Sequence, residues 1–268
     1  MRTTSTVSLR LQFCSRGDGM ELVEFHVPFD ECRLYGMADL HVGSKEFDER
    51  GCRQAIAAIK QDPRARVIIP GDILDYVTPT SVQDVQEQTM TVDEQEEFVI
   101  DLLEPVAGKI LYLLSGNHEN RTKEHNKAVK RIAKRLSVRY ADDDVLFEVS
   151  CGRKANGKPA SYIIYATHGF GGGKTIGATA NAVDALAHGR LADLYISAHN
   201  HKVEAHDDHY YVPDPQNHTI RTVRRVYVAL RAFQGHTRYG RQKGMKPQPT
   251  GVVLIRLSGK EKAIKVEI

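Results

Sequence analysis

The chain has 268 residues, 41% hydrophobic and 26% charged, which is typical of a globular protein and excludes a disordered chain or a coiled coil. No apolar run reaches the roughly 20 residues that a membrane span needs, and residues 1–10 lack the apolar core of a secretory signal. The four cysteines are scattered without a C-x-x-C pair, which indicates reduced thiols. We therefore expect a soluble cytoplasmic protein with no membrane partner.

The formal net charge is +3, but acidic and basic residues are segregated along the chain. Residues 67–108 contain ten acids and no Lys or Arg, whereas residues 121–139 carry eight basic residues and one Glu. Residues 215–260 contain ten basic residues and no acid. Such segregation is typical of a surface that faces a polyanion and equally of ordinary solvated faces, so both interpretations stay open.

The first half of the chain is predicted to alternate strands with helices. Residues 1–30 have the pattern of an N-terminal β-hairpin, with alternating apolar positions on both sides of a Gly-Asp-Gly turn. The predicted elements that follow are a strand at 34–38, a helix at 47–60, a strand at 67–70, a helix from Thr91 to about Glu104, a strand at 110–114 and a helix at 121–139. Thr91 and Glu94 have the capping-box spacing, and Pro105 ends that helix.

Strands dominate the second half. They are predicted at 145–149, 161–166, 193–198, 203–212, 222–230 and 251–257, with one helix near 178–188. No linker or internal repeat divides the chain. We expect a single domain over residues 1–268, in which 203–268 form a strand-rich C-terminal part, and a mixed α/β layered fold.

Five predicted strands end abruptly in side chains of the types that bind metals. The sequences at these ends are Ala38-Asp39-Leu40-His41, Gly71-Asp72-Ile73-Leu74-Asp75, Gly116-Asn117-His118-Glu119, His168-Gly169 and Ala198-His199-Asn200-His201. Because ligand sites of layered α/β folds gather at the carboxyl ends of strands, these loops can converge on one crevice.

Imidazole and carboxylate groups together favour Mn, Fe or Zn and exclude copper–thiolate or iron–sulfur chemistry. There are enough candidate ligands for two ions, and the two oxygens of a carboxylate such as Asp72 can bridge them. A two-metal centre lowers the pKa of bound water and holds both the attacking and the leaving oxygen of a phosphate ester.

In this order, the motifs D-x-H, G-D-x-x-D, G-N-H-E, H-G and x-H-x-H resemble the calcineurin-like metallophosphoesterase superfamily. They extend from Asp39 to His201. The resemblance implies an α/β fold, a four-layer α/β/β/α sandwich of two mixed β-sheets flanked by helices. It also implies hydrolysis of phosphate esters by a hydroxide held between two divalent ions. We expect Mn²⁺ first, with Fe, Zn or Ni as alternatives.

The resemblance assigns a role to each candidate residue. One metal would be bound by Asp39, His41 and His201, the second by Asn117, His168 and His199, and Asp72 would bridge them. His118 matches the family's catalytic histidine, which protonates the leaving oxygen without binding metal. Asp75 matches the carboxylate that orients this histidine.

Three positions depart from the family pattern. Ala198 replaces the glycine that normally begins the last motif. Tyr76 and Ser115 occupy positions where the family's protein phosphatases place arginines that contact phosphate. This favours the phosphodiesterase and nuclease branch, which includes the bacterial double-strand-break repair exonuclease subunit, and a nucleic acid or nucleotide substrate. A phosphomonoesterase acting on a small molecule or phosphoprotein is the alternative, and an inactive scaffold is a third.

Other motifs have simpler interpretations. Residues 169–175 nearly match a P-loop, but His168 occupies the position of its first glycine, so we predict a glycine-rich loop beside the site. His206 and His209 are expected at the surface, and His236 is equally compatible with the surface and the substrate cleft. The basic helix at 121–139 and the acid-free segment 215–260 could together guide a nucleic-acid backbone to the metals.

Overall fold

The computed structural model describes residues 22–77, 81, 87–121, 126–171 and 173–268. Two six-stranded β-sheets lie face to face, and helices cover the outer face of each. The first strand of the predicted N-terminal hairpin lies outside the described residues. The second is a strand, β1 (Val23–Val27), but its described neighbour is a later strand of the chain.

The first sheet contains three strands, β2 (Glu31–Gly36), β3 (Ala65–Pro70) and β4 (Ile110–Leu114), that are each followed by candidate ligands. Together with the short β5 (Tyr140–Ala141), they form its parallel part. Two antiparallel strands from the end of the chain, β11 (Val253–Ser258) and β12 (Ile264–Glu267), complete the order β12-β11-β2-β3-β4-β5. The sheet is therefore mixed, as predicted.

The second sheet has the order β1-β6-β7-β8-β10-β9. Its later strands are β6 (Asp144–Cys151), β7 (Ala160–Thr167), β8 (Leu194–Ser197), β9 (Glu204–Asp214) and β10 (Thr219–Ala229). The β6–β7 and β9–β10 pairs are antiparallel, whereas β1–β6, β7–β8 and β8–β10 are parallel. This sheet is also mixed.

Helices are divided between the two outer faces. The first sheet is covered by α1 (Glu49–Gln61), α2 (Val92–Leu103) and α3 (Asn126–Leu136), and the second by α4 (Ile176–Asp184). A short fifth helix, α5 (Arg238–Gln242), follows β10. No helix in the described ranges is long and apolar enough to cross a membrane.

Local sequence signals explain where these helices begin and end. Thr91 caps α2 and forms the predicted capping box with Glu94, and a 3₁₀ turn containing Pro105 follows the helix. Two predicted helices are shorter than expected. The predicted helix at 178–188 ends at Asp184 and continues as a 3₁₀ turn, and α3 covers only part of 121–139, of which residues 122–125 lie outside the described part.

The core has three layers, one between the sheets and one between each sheet and its helices, because side chains alternate along each strand. In β3, Ile68 packs between the two sheets, whereas Val67 and Ile69 pack against the helices. In β7, Ile164 faces the other sheet and Tyr165 faces α4. The predicted α/β/β/α sandwich of two mixed sheets is therefore confirmed.

Part of the charge segregation is explained by helix packing. Arg131 and Arg135 of α3 form ion pairs with Glu96 and Glu97 of the neighbouring α2. These arginines and the acidic segment thus neutralise each other on the surface, as ordinary solvated faces do. No ligand is needed to account for this part of the pattern.

Candidate metal centre

The predicted convergence of the five motif loops is observed. Each loop leaves the carboxyl end of its strand: β2, β3 and β4 in the first sheet, and β7 and β8 in the second. Because the three strands of the first sheet are parallel, as are the two of the second, these ends meet at one edge of the sandwich. Most candidate residues are buried. The exceptions are Asn117, which is exposed, and His199 and His201, which are half-buried.

The first group of candidate ligands contains Asp39, His41 and His201, whose coordinating atoms lie within 4.8 Å of one another. The Nε2 atoms of the two histidines are 3.2 Å apart, and Nε2 of His201 is 3.7 Å from Oδ1 of Asp39. Two imidazole nitrogens that face each other beside a buried carboxylate form a donor set suited to a divalent cation. The group is the one that the family resemblance predicts for the first metal.

The second group contains Asp72, His168 and His199, again within 4.8 Å. The side-chain oxygen of Asn117 lies 2.9 Å from Nε2 of His168 and 2.8 Å from Nδ1 of His199. Nδ1 of His168 is fixed 2.9 Å from the carbonyl oxygen of Pro70, which directs Nε2 towards the group. These residues fit a second cation.

Asp72 lies between the two groups. Its Oδ2 atom is 3.3 Å from Nε2 of His168 in one group and 3.7 Å from Nε2 of His41 in the other. Its Oδ1 atom accepts a hydrogen bond of 2.9 Å from the backbone N–H of His118. The position suits the bridging role predicted for this carboxylate, which stays a prediction.

His118 is held differently from the sequence-based expectation. Its Nδ1 atom is 2.5 Å from the backbone carbonyl oxygen of Asp75, whereas the carboxylate Oδ1 of Asp75 is 3.5 Å away. That carboxylate is closer to His41, at 3.1 Å from Nδ1. Asp75 therefore orients His118 mainly through its main chain and supports His41 with its side chain.

The other ring nitrogen of His118 faces Arg121. The guanidinium Nη2 of Arg121 donates to Nε2 of His118 over 2.7 Å. His118 also belongs to a third group, with His41 and Asp72, that is close enough to hold an ion. A neighbouring guanidinium disfavours metal binding at this nitrogen, which agrees with a non-ligand role. No sequence motif marks the contact between Arg121 and His118, so this role of Arg121 was not predicted.

Burial and crowding shift the pKa values of the site. Burial raises the pKa of Asp39 to about 7, and burial together with the nearby His41 lowers the pKa of His118 to about 4. Burial alone would lower the pKa of His168, but the adjacent Asp72 carboxylate raises it to about 10. These shifts arise because acids and imidazoles are packed tightly together, and divalent cations would bind to the same oxygens and nitrogens.

The backbone of the site is held in an unusual conformation. The φ angles of Asp39, His41, Asp72, His199 and His201 lie between 48° and 69°, in the left-handed region. Asp, Asn and His tolerate this region better than other non-glycine residues, but it still carries strain that is concentrated at functional sites. Hydrogen bonds between loops stabilise it, such as the 3.0 Å bond from the N–H of His41 to the carbonyl of Asp72.

Glu119 connects two of the ligand loops. Its fully buried carboxylate accepts hydrogen bonds from the backbone N–H groups of Asp72 (3.2 Å), Leu74 (2.9 Å) and Gly116 (2.8 Å). Burial raises the pKa of this carboxyl group, and the three donors favour its charged form. Glu119 belongs to the G-N-H-E motif, but its structural role was not predicted.

Replacing Glu119 with Gln is expected to lower the free energy of unfolding by about 2–4 kcal/mol, because an amide group would turn a donor towards a buried N–H. Urea denaturation in EDTA measures the change without a contribution from metal. Glu104→Gln, at an exposed position, is the control and should stay within about 0.5 kcal/mol of wild type. A similarly small change for Glu119→Gln would contradict this structural role.

The two groups of candidate ligands, here called the metal groups, lie in the wall of a cavity of about 540 Å³. Its wall includes His41, Asp72, Asn117, His118, Arg121, His199, His201 and Lys202, together with residues from Gln234 to Gln248. His236, which the sequence left undecided, lies in this wall, whereas His206 and His209 on β9 do not. Tyr76 and Ser115, the positions of the family's phosphatase arginines, are buried elsewhere.

Fold and site together define an α/β protein with a candidate dinuclear metal centre. No protein-family model matches the chain, and no curated protein matches it either. Among solved structures it is similar to Vps29 of Chaetomium thermophilum, with 10% identity over 88% of this chain and 95% of that chain and a TM-score of 0.39. NAD nucleotidase (NadN) of Haemophilus influenzae gives 10% identity over 89% and 49%, with a TM-score of 0.40. Nuclease MPE of Pseudomonas putida gives 11% identity over 87% of each chain, with a TM-score of 0.36.

Proposed function

We propose that this protein is a metal-dependent phosphoesterase, and specifically a phosphodiesterase that acts on nucleotides or nucleic acid. The observation that carries the proposal is the arrangement of two metal-capable groups around Asp72, at a cavity that also contains His118. Two divalent ions held by these groups would supply Lewis-acid activation of water and of the phosphate oxygens.

The side chains around the metal groups would then bind the phosphate and transfer a proton. His118 lies in the cavity wall, with Nδ1 fixed by the backbone carbonyl of Asp75 and Nε2 accepting a hydrogen bond from Arg121. To protonate the leaving oxygen, Nε2 would exchange the bond from Arg121 for a proton, after which Arg121 is available to the phosphate. Arg121 and Lys202 place positive charge on the same wall, where they can bind the non-bridging phosphate oxygens. The residues thus divide into those that hold cations, one that moves a proton and two that bind the anion.

Two features of the cavity favour a diester over a monoester. A phosphodiester carries a second organic substituent, and the cavity extends beyond the metal groups along residues 234–248, with a volume in the range of small-molecule sites. The positions where the related protein phosphatases place phosphate-binding arginines, Tyr76 and Ser115, are buried outside the wall.

The test is metal-dependent hydrolysis of bis-p-nitrophenyl phosphate, p-nitrophenyl phosphate and labelled DNA. We expect EDTA-treated protein to be inactive, Mn²⁺ to restore activity, and kcat/KM to be higher for the diester than for the monoester. Elemental analysis should find two ions per chain at saturation, as the two groups imply. Full activity without metal would refute the proposal. A higher kcat/KM on the monoester would identify a phosphomonoesterase, and inactivity with both ions bound would indicate a scaffold.

A further inference from the structure

One loop extends over the cavity from a fixed base. Residues 236–249, here called the rim loop, lie between two anchored positions. On one side the N–H of Gly235 donates to the carbonyl of Glu46 over 2.8 Å, and on the other the hydroxyl of Thr250 donates to the carboxylate of Asp48 over 2.6 Å. The rim loop is therefore held at both ends next to the metal groups.

The rim loop lines the cavity with side chains of a distinctive chemistry. His236 and Tyr239 contribute aromatic rings, Met245 a thioether and Gln248 a carboxamide. Flat and polarizable groups of this kind pack against another ring, and an amide recognises a hydrogen-bonding edge. A nucleobase offers both a flat face and a hydrogen-bonding edge.

His236 has an unused hydrogen-bonding atom. Within the described part of the chain, its Nε2 atom is buried and has no hydrogen-bond partner. This nitrogen is enclosed by the rim loop, so His236 lines the cavity with other atoms of its ring. Gly240 packs closely beside the ring, because an added Cβ there would lie 3.2 Å from Cδ2 of His236. The ring is thus positioned by its surroundings.

The charges around the cavity favour an anionic ligand. The rim loop contains four basic residues and no acid, and Lys246 lies in the wall. Asp72 is the one carboxylate among the described residues that line the cavity. An occupant that combines a phosphate at the metal groups with a flat, hydrogen-bonding group at the rim loop is a nucleotide.

We infer that the rim loop is the nucleoside subsite of a nucleotide-sized phosphodiester substrate, with Tyr239, Met245 and the His236 ring packing on the base and Gln248 binding its edge. This inference rests on the proposed function for the location of the phosphate. It adds that the base itself contributes to binding, which phosphate recognition alone would not require.

Isothermal titration calorimetry on the full chain loaded with Mn²⁺ tests the subsite. The four ribonucleoside 5′-monophosphates are compared with ribose 5-phosphate, which has the same sugar and phosphate but no base. Since one stacked base contributes a factor of about 5 to 150, we expect the tightest nucleotide to have a Kd at least about ten-fold below that of ribose 5-phosphate. Tyr239→Ala and Gln248→Ala should reduce this ratio, whereas Tyr211→Ala, an exposed tyrosine on β9, should preserve it.

Equal Kd values for ribose 5-phosphate and all four nucleotides, or binding of none of them, would overturn the inference. A single-stranded decanucleotide that binds more than about ten-fold tighter than its mononucleotide would also overturn it, because the site would then recognise a nucleic-acid strand and not a single nucleotide. The ratio of the Kd values of ribose 5-phosphate and the tightest nucleotide, measured on the wild-type protein, tests the inference even if a variant fails to fold. Because the readout is binding, failure of the diesterase assay and failure of the nucleoside subsite give different results.

Discussion

Substitution of His118 by glutamine is expected to leave metal binding intact and to slow the cleavage of a dinucleotide by about 10²–10⁴-fold. The reason is that His118 lies in the cavity wall but belongs to neither of the two predicted ligand sets, while its Nδ1 atom is fixed to the carbonyl of Asp75. Glutamine keeps a side chain of similar reach but cannot transfer the proton. Single-turnover rates and elemental analysis on the same preparation measure both effects.

The leaving group provides an internal check on this role. A sugar alkoxide needs a proton to leave, whereas p-nitrophenolate does not, so the loss on bis-p-nitrophenyl phosphate should be much smaller than on thymidylyl-thymidine. His209→Gln, an exposed position on β9, is the matched control and should behave as wild type. An equal loss on both substrates, or a loss of bound metal, would show that His118 is not the proton donor.

Substitution of Asp72 by asparagine should act through metal occupancy. The carboxylate Oδ2 approaches histidines of both metal groups, and the bridging position needs its charge, so we expect at least one ion per chain to bind about 10²-fold more weakly or worse. Asparagine retains an oxygen that can accept the N–H of His118, which should keep the local fold. Metal titration followed by elemental analysis measures the effect.

Asp101→Asn, on the exposed face of α2, controls for the loss of one negative charge. Its metal content should equal that of wild type. Unchanged stoichiometry and affinity in Asp72→Asn would place the bridge elsewhere or reduce the centre to one ion. His118→Gln should therefore remove proton transfer without loss of metal, whereas Asp72→Asn should impair assembly of the metal centre.

Local signals in the sequence were sufficient for most strands and for the ligand loops, but the short strands β5 and β12 were not predicted. The apolar run of β3 is followed by the polar Asp72, and a polar side chain directly after a buried strand indicates a ligand site at the end of that strand. Thr91 begins α2 because its own side chain caps the helix. These features depend on neighbouring residues, so periodicity and capping patterns reveal them.

The supporting contacts depend on residues that only the folded chain brings together. Glu119 binds N–H groups of a loop more than forty residues away, and Arg121 reaches His118 from a 3₁₀ turn. The family resemblance predicted that the carboxylate of Asp75 orients His118. The contact is made mainly by the backbone carbonyl of Asp75, which every residue has and which no sequence pattern can therefore reveal. The pairing of Arg131 with Glu96 likewise follows from how α2 packs on α3.

The anchoring of the rim loop has an evolutionary consequence. Its flanking residues, Gly235 and Thr250, bind to Glu46 and Asp48, which are only two positions apart. The entropy of closing a loop grows slowly, by about 0.6 kcal/mol for each doubling of length, so insertions or exchanges between these anchors would barely change stability. A lineage could therefore replace this segment as a unit while keeping the residues of the candidate metal centre unchanged. Grafting an unrelated loop between the same two anchors would be a direct way to redesign selectivity.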